Sequence, residues 1–366
     1  MRAPTFWFRS EGGWPSRLLA PASLVYGGVA GRRLARKPRW RAPVPVICIG
    51  NPTVGGSGKT PTCLRIASML LAARRQPVFL TRGYGGSLKG PVLVEDKHSS
   101  AEVGDEALLL ARRAPTIVSA DRVAGAKLAV EHGEVIVMDD GFQNPALFKD
   151  LSLLVIDAET GIGNGRIIPA GPLRVPFKAQ LARADGVIVV GTGTGAAAVE
   201  EAARKRGLPV LRATLEVPLE GRRRLAGQRV YAFAGIGRPT KFFASLEEAG
   251  ADVAGVWAFA DHHPYTVAEA EEILNQARKL DAHPVTTEKD AARLGGDQPE
   301  AVRRLHDQVL TLPVELEFSE ESAPVVFGLV ASAFGDLDAE PSGEPDAKRD
   351  GRRRKTQPDD ASRSST

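Results

Sequence analysis

The sequence predicts an α/β protein in two units, a larger sandwich on a buried parallel sheet and a smaller α/β unit after it. Three observations carry that prediction. Short, nearly unbroken β-branched runs alternate with helical stretches, the pattern of strands covered on both faces. A glycine-rich loop lies where the first of these runs gives way to a helix. A polar, arginine-rich stretch at 218–228 interrupts the pattern, and a second series begins beyond it. At 366 residues the chain is long enough for two domains.

The larger unit is expected over 43–217. An apolar strand at 44–49 runs into the glycine-rich loop, and an amphipathic helix follows at 61–74. Strands at 78–80, 116–119, 135–138, 151–156 and 187–190 alternate with helices at 105–113 and 121–132. The stretch 218–228 reads as a linker or an exposed hairpin. The smaller unit, 229–318, repeats the alternation: strand 230–234, helix 241–249, strand 252–257, helix 267–280, strand 284–287. A closing helix fits within 319–335. Beyond it, 15 of the 31 residues at 336–366 are charged and Leu337 is the only large apolar one. Such a tail buries too little to offset its ordering entropy and is expected to be disordered.

Residues 1–42 differ from the rest. The longest uncharged run, 18–31, has 14 residues, short of the roughly 20 that a spanning helix needs. Leu18, Ala22, Val25 and Val29 recur at helical spacing, with Phe6, Trp7, Phe8 and Trp14 before them and a basic cluster, Arg32 to Arg41, after them. Aromatics, an apolar stripe and a basic flank suit a monotopic membrane element. A helix packed on its own domain is the other reading.

The net charge is +4, but it is unevenly placed: 1–42 carries +8, 336–366 carries −1, and the body between them carries −3. A mildly acidic body with one basic end excludes a nucleic-acid partner and suggests tethering to an anionic surface. With only Cys48 and Cys63, a disulfide framework is excluded.

The loop itself reads Thr53, Val54, Gly55, Gly56, Ser57, Gly58, Lys59, Thr60. Glycines let successive N–H groups turn toward a phosphate, and the helix start adds positive potential. Lys59 then reaches the β- and γ-phosphates, and the Thr60 hydroxyl ligates Mg²⁺. Asp139, at the end of a buried strand, stands where such sites place a second metal-orienting carboxylate. ATP and Mg²⁺ are thus the expected cofactors, in a kinase or in a membrane-associated ATPase switch. Val54 stands where switches of the second kind often carry a further lysine, which counts against them.

Several stretches, in order, resemble one family. They are 50–61 (Gly50-Asn51-Pro52 and the loop through Pro61), Thr81-Arg82-Gly83-Tyr84-Gly85, Gly104-Asp105-Glu106, Ala120-Asp121-Arg122 and Asp139-Asp140-Gly141-Phe142-Gln143. Pro169 to Arg174, Ala234 to Gly237, Phe259 to His263 and Thr287-Glu288-Lys289-Asp290 follow. Together they are similar to the tetraacyldisaccharide 4′-kinases, the lipid A 4′-kinases of Gram-negative bacteria. The resemblance implies two α/β/α sandwich lobes, the larger built like a P-loop NTPase, joined by a short two-stranded linker. It implies phosphorylation of the 4′-hydroxyl of a tetraacylated glucosamine disaccharide 1-phosphate at the cytoplasmic face of the inner membrane, with the N-terminal helix dipping into the lipid. No obligate protein partner is implied.

The family places its catalytic acid at Asp105 and pairs it with a histidine of the smaller lobe, for which His262 is the better match and His263 the alternative. From the residues alone, Asp105 would be read as a helix cap. Glu106 and Asp139 join Thr60 as candidate Mg²⁺ ligands. Arg82, Arg122 and Arg174 are candidates for phosphate, whether of ATP or substrate, because guanidinium offers paired donors; Tyr84 is a candidate for packing on a sugar or base. Glu288-Lys289-Asp290 reads as structural. The chain departs from the family in having Asn144 where histidine is usual and Val175 where an acid often follows the arginine.

Overall fold

The computed structural model of the protein describes residues 3–9 and 12–335. The tail expected at 336–366 lies outside them. The first eight strands are β1 (Val46–Gly50), β2 (Pro77–Thr81), β3 (Val92–Leu93), β4 (Thr116–Val118), β5 (Val135–Asp139), β6 (Leu151–Asp157), β7 (Gly186–Val190) and β8 (Val210–Glu216). β9 (Arg229–Ala234), β10 (Asp252–Ala258), β11 (His283–Thr287), β12 (Leu310–Leu312) and β13 (Glu315–Phe318) follow. Among the described residues they form a nine-stranded sheet, β13-β8-β7-β6-β1-β5-β2-β4-β3, and a four-stranded sheet, β10-β9-β11-β12. The small sheet is parallel, and the large one is parallel except at its edges, where β3 and β13 run antiparallel to their neighbours. The α/β expectation therefore holds.

Alternation along the buried strands sends successive side chains to opposite layers. Ile47, Ile49, Val135 and Val137 pack on Ile66 and Leu70 of the helix Lys59–Ala72 and on Val326 and Val330 of the closing helix Ser322–Gly335. Val46, Cys48, Ile136 and Met138 face the other layer, with Ala126, Ala129 and Val199. Burying each Ile, Leu or Val of this kind contributes about 1.5–3 kcal/mol. β1 lies between β5 and β6, so the chain winds outward in both directions from it. Such a switch point opens a crevice at the carboxyl ends of the strands. The residues after β1, β2, β4, β5 and β6 all open there.

The stretch 218–228 contains no hairpin: it holds a short helix, Leu219–Leu225. Leu225 is fully buried, Gly221 lies against Pro313, and three arginines fill the last turn, where cations suit the helix dipole. The chain returns from the small sheet through β13, which pairs antiparallel with β8 from Glu315↔Glu216 to Phe318↔Ala213. β13 falls within 229–318 by sequence but belongs to the large sheet. Two strands thus carry the chain out and back.

At the front, short helices Gly13–Leu18 and Ala20–Leu34 lie on the segment 162–176 by their small residues. Ser16 Oγ donates to the Ala170 carbonyl at 2.7 Å and Ser23 Oγ to that of Ile167 at 2.7 Å. Gly27 sits so close to Ile167 that a Cβ would come within 2.6 Å of its Cδ1. The large apolar side chains point the other way: Leu18, Leu24 and Val25 are 71%, 77% and 71% exposed, and Trp14 and Val29 join them. Trp7, grouped by sequence with the interfacial aromatics, is instead buried and donates Nε1–H to the Pro169 carbonyl. An indole that finds a carbonyl partner can turn inward. Among the described residues no helix is long and apolar enough to cross a membrane.

Candidate active site

The glycine-rich loop spans the end of β1 and the start of the helix Lys59–Ala72. Gly55 and Gly58 take φ of 124° and 90°, where a side chain would be strained, and Gly58 is the helix N-cap. Lys59 Nζ donates to Asn51 Oδ1 at 3.2 Å, and Asn51 Nδ2 reaches the Gly55 carbonyl. The lysine is therefore pre-set over the loop. Thr53 and Leu173 form an isolated bridge, and Val54 N–H donates to the Pro172 carbonyl. Arg174 completes the support, with Nε to the Thr53 carbonyl at 3.0 Å and Nη1 to both oxygens of Asp140 at 2.8 and 2.9 Å. Asp140 has a left-handed φ of 52°. Burial alone would raise its pKa, but Lys59 and Arg174 keep it below the usual carboxylate range. Arg174, a candidate phosphate ligand by sequence, is thus part of the loop's scaffold.

Asp139 is 1% exposed, and neither of its oxygens has a hydrogen-bond partner; the Ser57 hydroxyl is likewise buried and unpartnered. Burial, and then the charge of Glu106, push the Asp139 carboxyl up to about 7. A buried carboxylate left without a partner is costly, and a bound cation would offset that cost. Among the described residues no three His, Cys, Asp or Glu side chains gather into a metal cage. Mg²⁺ commonly takes one or two carboxylates and completes its shell with phosphate and water. Asp139, with the buried Thr60 hydroxyl at the helix start, fits that donor set.

Asp105 begins the helix Asp105–Ala111 and is 4% exposed. Its Oδ1 accepts the Glu106 N–H at 2.9 Å. Its Oδ2 lies 3.2 Å from His262 Nδ1 and accepts Arg293 Nε and Nη2 at 3.0 and 2.6 Å. Burial would raise the Asp105 pKa, but His262, Arg293 and Lys289 together hold it well below the carboxylate range. The hydrogen bond with Asp105 raises His262 above its ordinary value. His262 adopts a left-handed φ of 58°, which turns its ring toward the large lobe, where Tyr84 packs at 5.8 Å between ring centroids. His263 points into its own lobe: Nε2 meets both Glu269 oxygens at 3.0 Å and the ring stacks on Phe259. Of the two neighbours, His262 is the one against Asp105.

Glu106 meets Lys289 Nζ at 2.7 Å, so a metal role for Glu106 competes with an ion pair across the lobes. Arg238 and Lys241 make a second clasp, to Asp157 and Glu159 at 2.8 Å each. In both clasps the large lobe supplies the acids and the small lobe the bases. Arg122 is 3% exposed, donates Nη1–H to the Ser119 carbonyl and keeps a buried Nε without a partner. Arg82 is exposed, and its charge acts on Arg122. Arg122 and Asn144 line a cleft of about 630 Å³ with Arg33, Arg36, Lys37 and Arg39 of the front segment. Val175 is buried. Sequence reasoning missed Asp140, Lys289 and Arg293. Their signals were the second acid of the Asp-Asp-Gly run and the spacing of four that puts Lys289 and Arg293 on one helix face.

Comparison with known proteins bears directly on this arrangement. The profile of the family described as LpxK, tetraacyldisaccharide-1-P 4′-kinase, matches residues 15–328. A tetraacyldisaccharide 4′-kinase of Methylobacterium nodulans is 49% identical over 348 residues, 94% of this chain and 100% of that protein. One from Rhodopseudomonas palustris is 51% identical over 329 residues, 89% of this chain and 96% of that protein. Among solved structures, that of LpxK from Aquifex aeolicus in complex with ATP superposes with a TM-score of 0.66 at 27% identity, covering 87% of this chain and 99% of that one.

Proposed function

The chain belongs to the tetraacyldisaccharide-1-P 4′-kinase family, and from that premise we propose how its residues divide the work. The protein transfers the γ-phosphoryl group of ATP to the 4′-hydroxyl of a tetraacylated disaccharide 1-phosphate, a step of lipid A biosynthesis. The loop N–H groups from Thr53 to Thr60 and Lys59 hold the nucleotide phosphates. Thr60 and Asp139 hold Mg²⁺, which when bound offsets the charge of the β- and γ-phosphates. The Asp105–His262 pair takes the proton of the attacking hydroxyl. One observation supports this division above the others. Lys59 and the pair open on the same crevice, close enough for the Lys59 charge to act on Glu106, the residue next to Asp105.

The substrate's 1-phosphate is assigned to the basic cleft of Arg122, Arg33, Arg36, Lys37 and Arg39, since paired guanidinium donors match phosphate. Tyr84, 69% exposed beside His262, is positioned to pack on a sugar ring at the cleft mouth. The helix Ala20–Leu34 holds the body by Ser23 and Gly27 and, with Leu18 of the helix before it, offers Leu24, Val25 and Val29 to the lipid of the inner membrane's cytoplasmic face. The basic residues beyond it add about 1 kcal/mol each while near anionic lipid.

The test uses purified protein, Mg-ATP and the lipid disaccharide, presented in bilayers or dispersed in detergent. A bis-phosphorylated product is expected in both. Changing Leu18, Val25 and Val29 together to Asp should lower turnover in bilayers by at least about tenfold more than in detergent, given the apolar area withdrawn from lipid. Equal losses in the two presentations would contradict the membrane role, and absence of a 4′-phosphorylated product would contradict the residue assignments as a whole.

A further inference from the structure

Arg293 is buried against Asp105 and has no task in the reaction as described. The helix Glu288–Leu294 presents Lys289 and Arg293 one turn apart on one face. Opposite stand the two consecutive acids at the start of Asp105–Ala111, and the cations meet them pairwise, Lys289 on Glu106 and Arg293 on Asp105. Arg293 is anchored behind by its own lobe: Nη1 donates to the Gly235 carbonyl at 2.7 Å and to Asp290 Oδ1 at 2.6 Å. Asp290 is fully buried and fixed in turn by the Gly235 N–H, the Tyr265 hydroxyl and the Thr287 hydroxyl.

Two details separate this guanidinium from an ordinary buried ion pair. Asp290 and Gly235 already engage Nη1, yet Nε and Nη2 both cross the lobe boundary to one atom, Asp105 Oδ2, which is also the atom that meets His262 Nδ1. The Gly235 carbonyl that holds Arg293 also accepts the His262 N–H at 3.0 Å, so the loop carrying the histidine and the guanidinium share one anchor. The packing around Gly235 is tight, since a Cβ there would come within 3.1 Å of both the Ala260 carbonyl and Asp290 Oδ1. Arg293 thereby fixes where Asp105 sits relative to the imidazole.

We propose that Arg293 is a positioning residue for the transfer: it carries the register of the small lobe to Asp105 and holds Oδ2 where His262 meets it, so that the pair forms only when the helix Glu288–Leu294 is seated on the large lobe. This rests on the reading of Asp105 and His262 as the proton-accepting pair. Lysine at 293 keeps the charge but loses the paired donors that set direction.

The experiment compares Arg293→Lys in the wild-type and Asp105→Asn backgrounds, with a thermal melt to select folded protein. Lysine is used because alanine would leave buried Asp290 without its cation. In the wild-type background Arg293→Lys should lower kcat about 10- to 100-fold, with KM for Mg-ATP and for the lipid changed less than about threefold. In the Asp105→Asn background the same change should cost less than about threefold, because the residue it acts through is already disabled. Equal losses in both backgrounds, unchanged kcat, or an effect confined to KM would each overturn the role of Arg293. Full turnover by Asp105→Asn itself would overturn the underlying reading of the pair, and the role of Arg293 with it.

Discussion

The phosphate loop and the Asp105–His262 pair face one crevice, yet they are built in opposite ways. The loop is eight consecutive residues at the junction of one strand and one helix, shaped by its own glycines and braced by Arg174. The pair joins residues 157 apart in sequence, and the guanidinium behind it lies 188 from Asp105. The loop belongs wholly to the large lobe, whereas the pair exists only where the small lobe meets it. On the proposed assignment, nucleotide binding is preformed and proton abstraction depends on assembly. An enzyme that works as proposed would hold ATP without a complete base until the lobes are seated, which would limit wasteful hydrolysis.

The largest effect that can sharpen this contrast belongs to the loop. Lys59→Ala should cut transfer by about 10³–10⁵-fold, the range that charge neutralisation at a transferred phosphoryl group supplies, while the melting curve stays near that of the wild type. A folded Lys59→Ala enzyme with near-normal turnover would remove the loop from the chemistry. The pair comes next. Asp105→Ala and His262→Ala should each cost about 10²–10⁴-fold in kcat, and the double variant should be little worse than either, because the two act as a unit. Losses that multiply would break the pair into independent groups. His263→Ala should leave kcat within about threefold and act mainly on small-lobe stability, as it removes a ring stacked on Phe259 and paired with Glu269.

A smaller effect reports on Asp139. Its carboxyl, raised to about 7 by burial and Glu106, holds a proton at lower pH, and a metal ion must displace that proton. Mg²⁺ affinity measured by calorimetry should fall by about tenfold per pH unit below 7 and level off above it. The release of a proton on binding near pH 6 is the companion signature. Affinity independent of pH between 5.5 and 8, values bracketing that midpoint by about a unit or more, would show that Asp139 is not the carboxylate that meets the metal.

The same contrast marks what could be read from the sequence. A loop whose geometry is encoded by adjacent glycines, at a strand-to-helix junction, announces itself, and so do strands with unbroken β-branched runs. Contacts across lobes do not. Asp105 reads locally as a helix cap, and only the family resemblance gave it and His262 a shared task. Lys289 read as one of three charges at a helix start, yet together with Arg293 it faces the acids of the other lobe. β13 falls within the range of the small unit because chain order says nothing of pairing, and its partner β8 lies about a hundred residues earlier. The arginine-rich stretch around 222 reads as a linker or an exposed hairpin because its buried apolar side chain, Leu225, is outnumbered by charges. At the front, apolar spacing found the exposed stripe of the two helices but not their inner face, where Ser16, Ser23 and Gly27 give little hydrophobic signal.

As proposed, holding nucleotide and accepting the proton are separate properties of separate parts, joined only across the cleft. One measurement addresses it most directly: the ATP dissociation constant and the transfer rate of the same His262→Ala preparation. The arrangement predicts a dissociation constant within about threefold of wild type, since the loop braced by Asn51 and Arg174 is untouched, beside a transfer rate lower by about 10²-fold or more. If ATP binding instead weakens in proportion to turnover, the two parts are one and the proposed division between them does not exist.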